Sequence, residues 1–180
     1  MRTVERPLPT RLDARRVLAE TRRDPLLYTS VSLLLFTGVR AGEVTSLAVG
    51  DYAPGSRRLA VGGVRYPRTI TIAPTAAGAL DGYLGGEETA PDEPLLLGMR
   101  RGWLYPLLKE AADRAGVTAG MHDLRRAAIA AVIEAGRPAD EVQAYFGLSV
   151  PLAANALTAL PAGWDAQVAS SLETAFATAT

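Results

Sequence analysis

The sequence predicts one mostly helical α+β domain with a small antiparallel sheet of about three strands in its N-terminal third. Apolar residues recur at helical spacing along most of the chain, and one short stretch alternates apolar and polar residues as strands do. A length of 180 residues suits one domain with a substantial core rather than two. We therefore expect residues 1–180 to fold as a single domain, with residues 1–9 as an N-terminal arm.

Three helices are predicted before the sheet. Thr10 and Asp13 have the spacing of a capping box, so a helix is expected from there to about Arg22. Residues 26–36 are apolar nearly all round, which indicates a buried central helix. A short helix is expected to follow, from residue 42 or 43 to residue 47.

Two short alternating runs predict the strands of the sheet. Leu59 and Val61, and later Ile70 and Ile72, alternate with polar or small residues. Gly62-Gly63 lies between the runs and suits a hairpin turn or a bulge. The two runs are therefore expected to pair as an antiparallel hairpin.

The chain after Pro74 is predicted to be helical again, because Gly and Pro separate segments with helical spacing of apolar residues. The stretch from Gly85 to Pro94 is rich in Gly, Glu, Asp and Pro, and we expect it to be a mobile loop. The predicted helices cover residues 74–84, 102–115, 121–135, 138–147, 151–159 and 164–177.

The charge composition alone does not favour nucleic-acid binding. The formal net charge is zero, whereas DNA-binding domains are usually basic. The charges are unevenly spread, however: residues 1–23 hold seven arginines and three acids, and residues 98–126 hold six basic residues and three acids. These two regions are the ones expected to face DNA if the chain binds it.

Composition excludes several other classes of protein. Cysteine is absent, so disulfides and thiolate metal sites are ruled out. The longest apolar stretch, residues 25–39, is interrupted by hydroxyl residues and is shorter than the roughly 20 residues that a membrane span needs. No signal-peptide pattern opens the sequence. We expect a cytoplasmic protein that has no membrane partner.

Three segments carry motifs that occur together in a known family. In the first segment a buried helix and a Thr-Gly turn precede Arg40 and Glu43, and the third segment begins a helix with His122 and Arg125, which share one face. In this order the segments resemble the catalytic domain of the tyrosine recombinases, the phage integrase family, from about residue 10 to about residue 160. The segments are LLLFTGVRAGEVTSL, RRLAVGGVRYPRTITIAP and HDLRRAAIAAVIEAG, at residues 33–47, 57–74 and 122–136.

The resemblance implies a chemistry and a set of site residues. In that family a tyrosine attacks a DNA phosphodiester, while two arginines and a histidine stabilise the charge at phosphorus. Arg40, His122 and Arg125 match those three positions, and Glu43 matches the acid that supports the first arginine. The resemblance further implies duplex DNA as the partner, with no metal and no cofactor. The residues expected to contact DNA are Arg40, Arg65, Arg68, His122, Arg125 and Arg126.

Three catalytic positions of that family hold unsuitable residues here. The first is Leu148, which follows Gly147 where the family has a histidine or a tryptophan. Counting from Gly147, the position of the nucleophilic tyrosine falls at Leu157, and no tyrosine follows Tyr145 in the sequence. The position of the proton-donating lysine falls at Gly63, and the one lysine, Lys109, lies on a predicted helix between the two motifs. A leucine cannot form a phosphoester. The remaining residues are therefore expected to bind phosphate without cutting DNA, and Tyr145 is interpreted as a core or interface residue.

Three functions stay open at this point. The leading hypothesis is a catalytically impaired DNA-binding protein, regulatory or accessory to DNA recombination or integration, acting as a homo-oligomer or with an active recombinase. The second is an active recombinase whose nucleophile is Thr158 or comes from a partner chain. The third is a protein-interaction module that no longer binds DNA, which the zero net charge favours.

The two ends of the chain bear on these hypotheses. Family members usually carry a separate helical domain that clamps DNA, whereas about ten residues precede the first predicted helix here, so we expect modest, salt-dependent affinity. Residues 161–180 are predicted to form a C-terminal helix with an apolar stripe of Val168, Leu172 and Phe176. That stripe suits docking in cis or in trans equally well.

Overall fold

The computed structural model describes residues 7–62, 67–86, 89–96, 101–148 and 160–177. Its helices and one small sheet share an apolar core, which confirms the predicted, mostly helical α+β fold class. The predicted helix over residues 151–159 lies outside the described residues. The elements are α1 (Arg11–Thr21), α2 (Pro25–Thr37), α3 (Ala41–Val44), β1 (Tyr52–Ala53), β2 (Arg58–Val61), β3 (Arg68–Thr71), α4 (Pro74–Leu84), α5 (Arg101–Arg114), α6 (Met121–Glu134), α7 (Ala139–Phe146) and α8 (Trp164–Phe176).

The first two helices begin at the capping residues that their sequences supply. The Thr10 hydroxyl accepts a hydrogen bond from the Asp13 N–H at 3.1 Å, and the Thr10 N–H donates to the Asp13 carboxylate at 3.0 Å, which completes the predicted capping box. The Asp24 carboxylate caps α2 by accepting a hydrogen bond from the Leu27 N–H at 3.0 Å. From Leu27 onward nearly all of α2 is buried, so it is the central helix that its composition predicted. No helix in the described part of the chain is long and apolar enough to cross a membrane.

The C-terminal ends of α2 and α7 are in close contact at Gly38. Gly38 ends α2 in the left-handed conformation, at φ 61°. A residue with a side chain would be strained in this conformation. A Cβ at this position would overlap the ring of Phe146, the last residue of α7. The Thr-Gly turn therefore brings Arg40, two residues further on, beside the C-terminal end of α7.

The sheet has three antiparallel strands in the order β1-β2-β3. The predicted hairpin is β2 and β3, with Leu59 paired to Ile70 and Val61 paired to Arg68. Leu59, Val61 and Ile70 face the core, as their alternation predicted. The short strand β1 adds to the outer edge of β2 through the pairing of Tyr52 with Leu59. Residues 63–66 of the connection, including Gly63, lie outside the described residues.

Part of the expected mobile loop is attached to the domain by backbone hydrogen bonds. The Glu93 carbonyl accepts from the Val49 N–H, and the Pro91 carbonyl accepts from the Gly50 N–H, both at 2.8 Å. Immediately afterwards the Leu95 N–H donates to the Leu47 carbonyl at 2.8 Å, and the Leu95 side chain is fully buried. These pairings fix residues 91–95 against residues 47–50, although their composition is that of a loop.

The C-terminal helix α8 packs on its own domain. Its stripe of Val168, Leu172 and Phe176 is fully buried, and Phe176 meets Phe36 of α2 edge to face at 6.2 Å. Asp165, at the start of α8, accepts hydrogen bonds from the N–H and hydroxyl of Thr71 at 2.8 and 2.9 Å. Because apolar burial and polar contacts both hold α8 in cis, the apolar stripe is not an exposed surface of this chain.

Candidate phosphate-binding pocket

The three residues matched to the family's phosphate-binding positions lie together. A cavity of about 750 Å³ opens between the start of α3, the N-terminal end of α6 and the residue that follows β2. Arg40, His122 and Arg125 line it, together with Glu43, Arg126 and Gly62. Two motifs more than eighty residues apart in the sequence therefore form a single concave site.

Arg40 is held at the mouth of this pocket by Glu43. The Arg40 N–H donates to the Glu43 carboxylate at 2.7 Å, and its guanidinium donates to the same carboxylate at 3.0 Å. The Arg-x-x-Glu spacing produces this contact because Arg40 is the N-cap of α3 and Glu43 is its third residue, whose side chain reaches back to the N-cap. The Arg40 side chain stays 38% exposed, so it faces the cavity as well as its acidic neighbour.

A second arginine pairs with Glu43 from the side of the sheet. Arg68 of β3 donates to both carboxylate oxygens of Glu43, at 3.0 and 3.1 Å, and its side chain is only 8% exposed. Burial of Glu43 acts to raise its pKa, but the hydrogen bonds and charges of Arg68 and Arg40 together hold the pKa below its usual range. Arg68 was expected to contact DNA, and the structure instead places it beneath the pocket in a buried ion pair.

Arg125 is the most deeply placed of the three matched residues. Its guanidinium donates to the carbonyl oxygen of Gly38 and, at 2.7 Å, to that of Phe146, and the residue is 7% exposed. Burial, together with the charge of Arg40, lowers the pKa of Arg125 to about 10. It therefore remains a cation at neutral pH, at the base of the cavity.

Three arginines cap the C-terminal end of α7. The successive carbonyls of Tyr145, Phe146 and Gly147 accept hydrogen bonds at 2.9, 2.7 and 2.6 Å from different guanidiniums. The donors, in the same order, are Arg68, Arg125 and Arg40. The last carbonyls of a helix lack partners within the helix and carry its negative dipole end, so cations stabilise them. No residue pattern indicates this arrangement except the glycine at position 147, which ends the helix.

His122 and Arg126 are exposed residues on the first turns of α6. Helix α6 begins at Met121, and the Asp123 carboxylate accepts from the Gly120 N–H at 2.9 Å. The N-terminal end of a helix carries partial positive charge and favours an anion nearby. His122 thus lines the cavity beside the N-terminal end of α6.

The pocket is more positively charged than the chain as a whole. Among the described residues that line the pocket, Glu43 is the one acid, whereas Arg40, Arg125 and Arg126 are cations. The buried Arg68 adds a further positive charge next to Glu43. A local excess of positive charge therefore exists within a protein whose formal net charge is zero.

The remaining site expectations fall elsewhere. Arg65, Gly63 and Leu157 lie outside the described residues. Lys109 forms an exposed ion pair with Asp113 at 2.5 Å and lines a separate groove that shares His122 with the pocket. Within the described ranges, no three His, Cys, Asp or Glu side chains are grouped closely enough to hold a metal ion.

The interpretation of Tyr145 as a core residue is confirmed. Its side chain is fully buried, its hydroxyl donates to the Thr71 carbonyl at 2.9 Å, and its ring meets Trp164 edge to face at 6.4 Å. Burial raises the pKa of Tyr145 far above its ordinary value, so the phenol stays neutral and inaccessible.

Comparison with known proteins identifies the fold. No protein-family model matches the chain, and no curated protein matches its sequence. The integrase from mycobacterium phage Brujita superposes with a TM-score of 0.80 at 22% identity, over 100% of this chain and 62% of that one. XerA recombinase superposes with a TM-score of 0.72 at 20% identity, over 100% of this chain and 67% of that one.

The catalytic core of lambda integrase gives a third comparison. It superposes with a TM-score of 0.60 at 16% identity, over 82% of this chain and 95% of that one. The chain thus spans about two thirds of the length of the two longer proteins and matches nearly the whole of an isolated catalytic core. The chain has the fold of the tyrosine-recombinase catalytic domain, as the motifs around Arg40 and His122 predicted.

Proposed function

We propose that this protein binds duplex DNA through a backbone phosphate held in the pocket of Arg40, His122 and Arg125. The observation that carries the proposal is the convergence of these three side chains at the N-terminal end of α6. Guanidinium groups match phosphate oxygens in geometry and charge, and a helix N-terminus adds further donors. Lambda integrase and XerH recombinase, which have this fold, have been solved bound to their DNA sites.

The individual residues have different parts in this proposal. Arg40 and His122, at the mouth and on the rim, contact the phosphate directly. The Arg125 guanidinium already donates to two carbonyls. It supplies positive charge from the base of the cavity and donates its remaining N–H groups to the phosphate. Exposed Arg126 makes an additional contact to the DNA backbone, and Arg65 stays a predicted one. Contacts of this type give affinity that does not depend on DNA sequence.

The proposed role is regulatory or accessory to DNA recombination or integration rather than catalytic. Its basis is the identity of two residues: a leucine, Leu157, at the position of the nucleophile and a glycine, Gly63, at the position of the lysine. Neither side chain can attack phosphorus or protonate a leaving oxygen. Acting on DNA next to an active recombinase, or as a homo-oligomer, would suit such a domain. Lambda integrase has been solved as a dimer and as a tetramer on DNA.

The test is the affinity for a short labelled duplex of mixed sequence, measured by gel shift and by salt titration. Arg40→Ala and His122→Ala are expected to weaken binding about tenfold each, since each removes one charged or polar contact to phosphate. Arg57→Ala is the matched control, because Arg57 is an exposed arginine outside the two basic regions and lies at the opposite end of β2 from Gly62, which lines the pocket. Equal binding by wild type, Arg40→Ala and His122→Ala would show that the pocket does not bind the duplex.

A further inference from the structure

The pocket contains an acid that opposes its proposed function. Glu43 contacts Arg40 directly at 3.0 Å, and it lines the cavity itself. A carboxylate neutralises the positive charge of a guanidinium that it binds. An isolated Arg40–Glu43 pair would therefore attract a phosphate only weakly. The site therefore needs something that offsets the charge of Glu43.

Arg68 is placed to supply that charge. It reaches Glu43 from β3 with two parallel hydrogen bonds, the strongest geometry available to an arginine and a carboxylate. Its Nε donates to the Tyr145 carbonyl at 2.9 Å, which fixes the guanidinium in this orientation. At 8% exposure the Arg68 side chain is too buried to reach the backbone of a duplex.

We propose that Arg68 is a positioning residue that neutralises Glu43 and thereby leaves the charge of Arg40 for the DNA phosphate. With Arg68 present, Glu43 is shared between two guanidiniums and still holds the Arg40 backbone N–H at 2.7 Å. Without Arg68, Glu43 pairs with Arg40 alone and competes with the phosphate for it. This inference rests on the proposed function, because it concerns the same pocket.

The charge of Glu43 and that of Arg68 can be removed separately or together. Arg68→Met is expected to weaken duplex binding about tenfold, and to lower the slope of log K against log salt by about 0.9, the value of one lost phosphate contact. In the double variant Arg68→Met/Glu43→Gln, the competing carboxylate is also gone. Its affinity is expected to return to within about threefold of wild type, with the slope restored.

Arg68→Lys separates charge from shape. A lysine keeps the positive charge beside Glu43 and loses the bidentate fork, so duplex affinity is expected to stay within about threefold of wild type. Circular dichroism shows whether Arg68→Met folds. If it does not, Arg68→Lys still tests the proposal. A tenfold loss with folded Arg68→Lys would contradict a role based on charge.

A purely structural role for Arg68 gives a different set of results. The Tyr145 carbonyl loses its donor in Arg68→Met and in the double variant alike, so binding would remain weak in both. Failure of the double variant to recover, while Arg40→Ala still weakens binding, would overturn this inference alone. If Arg40→Ala has no effect on binding, the proposed function fails instead.

Discussion

The Nη2 atom of Arg125 donates a hydrogen bond to the carbonyl oxygen of Phe146 at 2.7 Å, so a residue matched to phosphate binding also caps a helix. The same guanidinium donates to the carbonyl of Gly38. Arg125 therefore joins the end of α2 to the end of α7, whatever it binds in the cavity. Substitution of this residue should affect folding as well as binding.

Arg125→Met is expected to lower the free energy of unfolding by about 2 kcal/mol, because it leaves two buried carbonyls without donors. Arg126→Met, at the exposed next position, is the control and should change stability by no more than about 0.5 kcal/mol. Urea denaturation of both variants measures the difference. Equal stability of the two would mean that the contacts of Arg125 do not hold α2 and α7 together.

Gly38→Ala is expected to destabilise the domain by at least about 2 kcal/mol, through left-handed strain and overlap with the ring of Phe146. Gly42→Ala is the matched control, because Gly42 lies in α3 with no atom within 4 Å of an added Cβ. That substitution should be neutral or stabilise by up to about 1 kcal/mol. Thermal or urea denaturation measures both, and a neutral Gly38→Ala would show that this turn has room for a side chain.

The free energy of unfolding should vary with pH through the ionisation of Asp165. Burial acts to raise the pKa of Asp165, but hydrogen bonds from Thr71 and the charge of Arg58 together hold the pKa below its ordinary value. A carboxylate with a lowered folded-state pKa stabilises the fold above its unfolded pKa. That contribution is lost as the pH falls through the lower, folded-state value.

Asp165→Asn tests this expectation by removing the titrating group. The free energy of unfolding of the variant should be lower than that of wild type, and this deficit should be largest near pH 6. The deficit should shrink as the pH falls below about 4. Urea denaturation at a series of pH values measures the deficit. A deficit that is constant between neutral and acid pH would show that the ionised form of Asp165 is not what holds α8.

Strand cleavage is expected to be absent. A nicked suicide substrate traps a covalent protein–DNA adduct whenever a nucleophile attacks phosphorus, and the wild-type chain should form none at DNA concentrations that saturate binding. An active tyrosine recombinase on its own nicked site is the positive control. An adduct that survives denaturation would establish a substitute nucleophile, with Thr158 the first residue to replace.

Local sequence patterns predicted most of the fold and part of the site. Helical periodicity and the alternation around Leu59 located elements correctly, because they report which face of a segment is buried. The Thr10 cap located the start of α1. The resemblance to the recombinases implied that Glu43 supports Arg40, and the two side chains form an ion pair at 3.0 Å. The motif around His122 located the other wall of the pocket.

Contacts between distant segments were beyond prediction from the residues. Arg68 contacts the carbonyl of Tyr145, 77 positions away, and Arg125 contacts that of Gly38, 87 positions away. A backbone carbonyl has no residue-specific signature, so no pattern distinguishes an arginine that caps a helix from one that faces DNA. For this reason Arg68 is among the residues that the sequence predicts to contact DNA, whereas its side chain is buried against Glu43.

Phosphate binding in the pocket is tested most directly through His122, the only histidine in the chain. The Cε1–H group of its imidazole gives one signal in a proton–carbon NMR spectrum, and the position of that signal reports on the surroundings of His122. Titration with a short duplex should shift or broaden this signal at the concentrations that saturate binding, and Arg40→Ala should move the effect to higher concentrations. A His122 signal that stays unchanged while the duplex binds would contradict phosphate binding in this pocket.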